Sequence, residues 1–169
     1  KLEKFKAMGN NTKKNGFCYA KFLEGKRQNE LAGKTVNICG VCYSHASMDS
    51  YMKNLPLSLD KNEILAEKVL NDNEIKQFHF LQSFFRFNHH GELLTETVDD
   101  NGVIVKKFPK YNMIENYCRI AEYNPHCTFA LWTKRSDIIK RFFDKRDKPK
   151  NLIIVFSNTK ADKIIYKIP

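Results

Sequence analysis

No apolar run in this sequence approaches the roughly 20 residues that a membrane-spanning helix needs, so a transmembrane anchor is not expected. The opening Lys1–Phe5 is charged and carries no apolar stretch of the kind a secretory leader requires. Cysteines number five, an odd count that fits no paired disulfide framework and, with no leader, points to a reducing cytoplasm or a cytosol-like interior such as that of an infected cell. Glycine and proline are scarce, seven and five among 169 residues, which removes the collagen-like and low-complexity classes. Also missing are the glycine patterns of phosphate and dinucleotide loops, the serine-hydrolase elbow and the zincin motif. No internal repeat stands out.

What is present suits one globular domain over residues 1–169, long enough to bury about two thirds of its unfolded surface without staples. Acidic residues are outnumbered: 29 Lys and Arg face 19 Asp and Glu, for a net charge of +10 and a pI near 9.4. Such a balance favours polyanionic partners, nucleic acid first, and aromatics interleave with lysines in Lys140–Lys150. The plainer alternative is a solvated lysine-rich surface, since the cations are scattered along the chain.

Residues 1–15 read as a flexible polar arm. Gly16–Leu23 reads as a strand or an irregular core segment, Gly25–Gly33 as a polar connection, and Thr35–Tyr43 as a loop running into a helix. Asp60 and Glu63 have the spacing of a capping box for a helix over Asp60–Leu70. The Phe-rich Phe78–Asn88 suits a buried strand. Leu94–Phe108 reads as an inserted hairpin turning at Asp99–Gly102. Met113, Ile114, Tyr117, Cys118 and Ala121 recur at helical spacing, with Pro125 as the stop. Cys127–Trp132 is a strand, Ser136 caps a helix carrying Ile138, Ile139, Phe142 and Phe143, and Leu152–Phe156 is a last buried strand. Strands alternating with helices predict an α/β fold with a mainly parallel sheet and crossover helices, either a partial β/α barrel or an open sheet.

Ligand sites in such sheets form at the carboxyl ends of the strands. That rule selects Asn88-His89-His90-Gly91-Glu92, Thr133-Lys134-Arg135 and Ser157-Asn158-Thr159. Cys39 and Cys42, two residues apart, present two sulfurs to one side of a turn. They can bind zinc or an iron–sulfur cluster, with Cys18, His45, His89 or His90 completing the site, form a redox pair, or fill core space. The His pair can supply a metal ligand, a general base or a phosphate contact, with one of the two facing the site, because strand neighbours point to opposite sides. Glu92 can act as a base or hold an amine or ribose hydroxyls, with an exposed loop carboxylate as the alternative. Lys134 and Arg135 can bind phosphate, or form an ordinary charge pair ahead of a helix.

Gly33-Lys34-Thr35, Cys39-Gly-Val-Cys42-Tyr43, Arg86-Phe-Asn-His-His-Gly91-Glu92-Leu93, Asn124-Pro125-His126 and Thr133-Lys134-Arg135 together resemble the phage gene-product-eighty-eight-like family. Its members show Lys-Thr-Cys, then Cys-Tyr-Ala, then Arg-x-His-x-x-Gly-Asp-Phe, then Thr-Lys-Arg after a strand. The likeness runs from Gly33 to about Thr159 and implies a phage protein acting in an infected cell, with a host protein as a further candidate partner. This chain departs from the pattern at Val36, Asn88 and Glu92, where the family has Cys, His and Asp. A shared metal site would then need Cys18 as a substitute. A looser likeness to radical S-adenosylmethionine enzymes implies a cluster on Cys39 and Cys42, with Gly91-Glu92 holding an amine.

Overall fold

The computed structural model describes residues 8–10, 13–49 and 54–162. Its elements in chain order are α1 (Gly16–Ala32), a 3-10 turn (Ile38–Val41), α2 (Tyr43–Asp49), α3 (Leu55–Asp60), a second 3-10 turn (Lys61–Glu63), α4 (Ile64–Glu67) and α5 (Asp72–Ile75). Then follow β1 (Phe84–Phe87), β2 (Glu96–Val98), β3 (Ile104–Lys107), α6 (Asn112–Tyr123), β4 (Thr128–Thr133), α7 (Ser136–Phe143) and β5 (Leu152–Phe156). β1, β4 and β5 form an open, wholly parallel sheet in the order β1-β4-β5, while β2 and β3 make a separate antiparallel hairpin. The fold is therefore mixed α/β with crossover helices and an open sheet, and no barrel closes.

Register explains the division of labour between the two sheet faces. Phe85 pairs with Phe129 and that with Leu152, and Phe87 pairs with Leu131; these five are fully buried and share one face. They pack with Met113, Ile114, Tyr117 and Ile120 of α6 and Ile138 and Ile139 of α7 in one core cluster. Phe87 lies between two rings, stacked on Tyr117 at 4.0 Å and on Phe129 at 5.1 Å. The opposite face carries Phe84, Arg86, Ala130, Trp132, Ile153 and Val155.

Several elements differ from the sequence reading. Gly16–Leu23 and Gly25–Gly33 are neither strand nor connection: nearly all of both lies in α1, a single 17-residue helix. Asn15 caps it by accepting from the Cys18 amide, and Gly33, at φ 61°, ends it. The helix contains no β-branched residue, but its apolar residues form no stripe, so periodicity is silent. Asp60 caps nothing; it has helical geometry and pairs with Lys14 at 3.2 Å. A complete capping box forms instead at Asn71 and Glu74, ahead of α5. Phe78–Asn88 is a strand only over β1, because the Asn124 side chain claims the Phe80 amide and the Phe78 carbonyl. At α7 the N-cap position belongs to Arg135, not Ser136.

Of the expected arm, residues 1–7 and 11–12 lie outside the described residues, and Met8, Gly9 and Asn10 are buried against β1 and the loop after it. The hairpin meets the start of α1 through an Asn15–Thr97 bridge, so it fixes the position of that helix. Among the described residues no helix is long and apolar enough to cross a membrane.

A candidate ligand cleft at the strand ends

The carboxyl ends of the three parallel strands meet around one carboxylate. Glu92, 3% exposed, accepts from the Thr133 hydroxyl at 2.6 Å and from the Lys134 amide at 3.1 and 3.2 Å. The Ser157 amide donates to the Thr133 carbonyl at 2.9 Å, which adds the end of β5 to the same knot. Gly91 is required next to Glu92: its φ is 87°, and a Cβ there would collide with the Asn10 side chain. Burial holds the Glu92 carboxyl above the usual carboxylate range, against the opposing pull of Thr133 and Lys134.

The Cys39–Cys42 turn faces this knot from across a cleft of about 260 Å³. Asn29 positions the turn by accepting from the amides of Val36 and Asn37, each at 2.8 Å, and Asn37 accepts from the Cys39 amide at 2.9 Å. Gly25 and Gly40 let α1 and the turn touch backbone to backbone, since a Cβ on either would strike the other's main chain. The far side of the turn is tied by Ile38 to the Thr159 carbonyl at 2.8 Å. Cys18, Cys39, Cys42, Asn88, His89, Gly91, Glu92, Lys134 and Ser157 consequently line one cleft.

Of the remaining expected residues, His45 also lines the cleft, stacked on Phe22 at 4.2 Å, and the others stand elsewhere. His90 is buried, with Nδ1 hydrogen-bonded to Ser44 Oγ at 2.9 Å. Thr133 lies behind Glu92. Arg135 turns to Asp137, which it holds with two bonds at 3.0 and 3.1 Å, and covers the Phe17 ring. Sequence reasoning passed over Lys21, Phe22, Tyr43, Trp132 and the side chain of Arg86, which also line the cleft. A cation inside the apolar run Phe84-Phe85-Arg86-Phe87 was the available signal.

Three thiols share a wall, but among the described residues no three His, Cys, Asp or Glu side chains converge as a metal site. Burial also pushes the Cys18 and Cys39 thiols above their ordinary range, the reverse of what an activated thiolate needs. The donor set as it stands does not fit zinc or a cluster.

Burial, with His89 and Arg86 nearby, lowers the His90 pKa from 6.5 to about 4. A histidine neutral in the fold and charged in the unfolded chain gives stability that is full above pH 6.5 and is lost as pH falls toward 4. The urea midpoint is expected to fall across that window, less steeply in His90→Gln; equal slopes for both proteins would refute this.

The family model described as Gene product 88 matches residues 10–168. No curated protein and no solved structure matches the chain. The chain belongs to the gene product 88 family, whose model spans every residue that lines the cleft just described.

Proposed function

We propose that the cleft binds a small ligand through an anionic group, a phosphate or a carboxylate. One observation carries the reading: the Arg86 guanidinium lines the cleft with no hydrogen-bond or carboxylate partner among the described residues and rests only on the Trp132 ring, at 4.5 Å. Its Nε is buried without an acceptor, and so is Nδ2 of Asn88, whose Oδ1 accepts from Tyr117. Unpaired buried donors cost about 1–3 kcal/mol each, so two beside one cleft favour an acceptor that arrives with a ligand. The Lys134 ammonium, also on the cleft, forms no ion pair among the described residues. Of the three expected acid–base residues, His89 and Glu92 line the cleft; the His89 ring nitrogens have no hydrogen-bond partner among the described residues, and Glu92 serves to position Lys134. This reading has the protein acting in the host cytoplasm as a binder.

Inorganic pyrophosphate is the probe. It is expected to raise the Tm of the protein at millimolar concentration in low salt, by mass action on the folded state. Arg86→Gln should weaken its binding about tenfold or more, the worth of a charge-assisted hydrogen bond. Absence of any shift in the wild type would sink the reading.

A second reading keeps the three cysteines as a zinc or iron–sulfur site formed by a rearrangement of the Cys18/Cys39/Cys42 wall. Elemental analysis of anaerobically purified protein separates the two. Stoichiometric metal, lost in Cys39→Ser, would replace the anion reading as the account of this wall.

A further inference from the structure

The cleft does not end at Trp132. Beyond it runs the sheet face turned away from α6 and α7, where Phe84, Trp132 and Ile153 are 48%, 44% and 50% exposed. In a three-stranded parallel sheet served by crossover helices, both faces are ordinarily covered. Here one face keeps two aromatic rings in solvent, on neighbouring strands. Register places Phe84 opposite Thr128, four residues before Trp132 on β4, so the rings lie about 13 Å apart along the strands. Between them is Arg86, paired in register with Ala130 and covering the Trp132 ring.

We propose that this face binds single-stranded nucleic acid: a backbone phosphate at the mouth of the cleft takes Arg86 and Lys134, Arg86 leaves the Trp132 ring it covers, and bases stack on Trp132 and Phe84. The proposal rests on the anionic-ligand reading and names its ligand class. Exposed rings on a sheet surface give every base a stacking partner without reading sequence, and a cation between them meets the phosphates that join successive bases. The net charge of +10 supplies the complementary field. A duplex cannot use the face, because its bases are already stacked and their planes are not accessible to rings that lie on a sheet.

Trp132 is the only tryptophan, so its fluorescence reports the event directly. The full chain is titrated in low salt with a mixed-sequence single strand of about ten nucleotides, a length within the site sizes of single-strand binders. Quenching is expected, with affinity falling as salt rises. Phe84→Ala should weaken the oligonucleotide about tenfold, the worth of one stacked base, and leave pyrophosphate binding unchanged. Phe84→Tyr, which keeps the ring, should bind as the wild type does. Arg86→Gln should weaken both ligands. If Phe84→Ala leaves the oligonucleotide unaffected, or a duplex of the same length competes equally, the proposal is overturned while the pyrophosphate result stands. If pyrophosphate fails but the strand binds in a Phe84-dependent way, the stacking face stands while the phosphate contact at Arg86 and Lys134, with the reading it rests on, is overturned. A dimer that Phe84→Ala dissociates, with oligonucleotide affinity unmoved, gives the face to a second copy of the chain.

Discussion

Phe87→Ala is expected to destabilise the protein by about 4 kcal/mol, the usual cost of removing a fully buried ring from a core. At this chain length that is a fall of about 8–16 °C in Tm, measured by circular dichroism. The ring is the middle of a three-ring stack with Tyr117 and Phe129, so the void would open between β1, α6 and β4 at once. It also precedes Asn88, which Tyr117 holds by its hydroxyl at 2.8 Å, and Asn88 lines the cleft. Loss of pyrophosphate binding should therefore accompany the loss of stability at temperatures where the variant remains folded. A drop below about 1 kcal/mol would mean that the surrounding side chains collapse into the space, contrary to the tight packing of this stack.

The second large effect is expected from a polar residue. Asn116 is fully buried in α6, and its amide group donates to the carbonyls of Leu65 and Lys68, each at 2.8 Å, and accepts from the Leu70 amide at 2.9 Å. This one side chain holds the irregular stretch between α4 and α5 against the core. Asn116→Leu conserves volume but strands one buried N–H and removes the donor from two carbonyls. At roughly 1–3 kcal/mol per unsatisfied group, about 4 kcal/mol is expected. Native-state hydrogen exchange should show the Leu70 amide losing protection before the amides of α6. If Asn116→Leu unfolds with the wild-type midpoint and slope in urea, the clamp contributes nothing.

These two residues show what the sequence displays and what it conceals. α6, the hairpin and β5 were legible because each carries a local signal: α6 shows a clear apolar stripe, the hairpin a turn with Gly102 at φ 80°, and β5 a short continuous apolar run, although only Leu152 of that run is buried. α1 was not, since its role is to wall a cleft and contact backbone through Gly25, which demands no stripe. Phe78–Leu81 looks like strand by composition, yet Asn124 satisfies its backbone from the side. In a sequence nothing distinguishes Asn116 or Asn124 from an asparagine in a surface loop. The strand-end rule pointed to Glu92, Lys134 and Ser157, and these line one cleft with Cys39 and Cys42, whose turn the rule does not select. Arg86 and Trp132 were missed because alternation along a strand assigns faces only once the covered face is known.

The ties between the Cys39–Cys42 turn and the segment after β5 have a consequence for synthesis. Ile38 and Val36 meet Thr159 and Ala161, some 120 positions later, so the turn that α1 already holds through Asn29 and Gly25 is tied across to the strand ends only after β5 has been made. On a ribosome, α1 and the turn can dock early, and Arg86, Trp132 and Lys134 are all made before β5. A nascent chain stalled ahead of β5 would therefore carry the binding groups without the closed cleft that holds them in place.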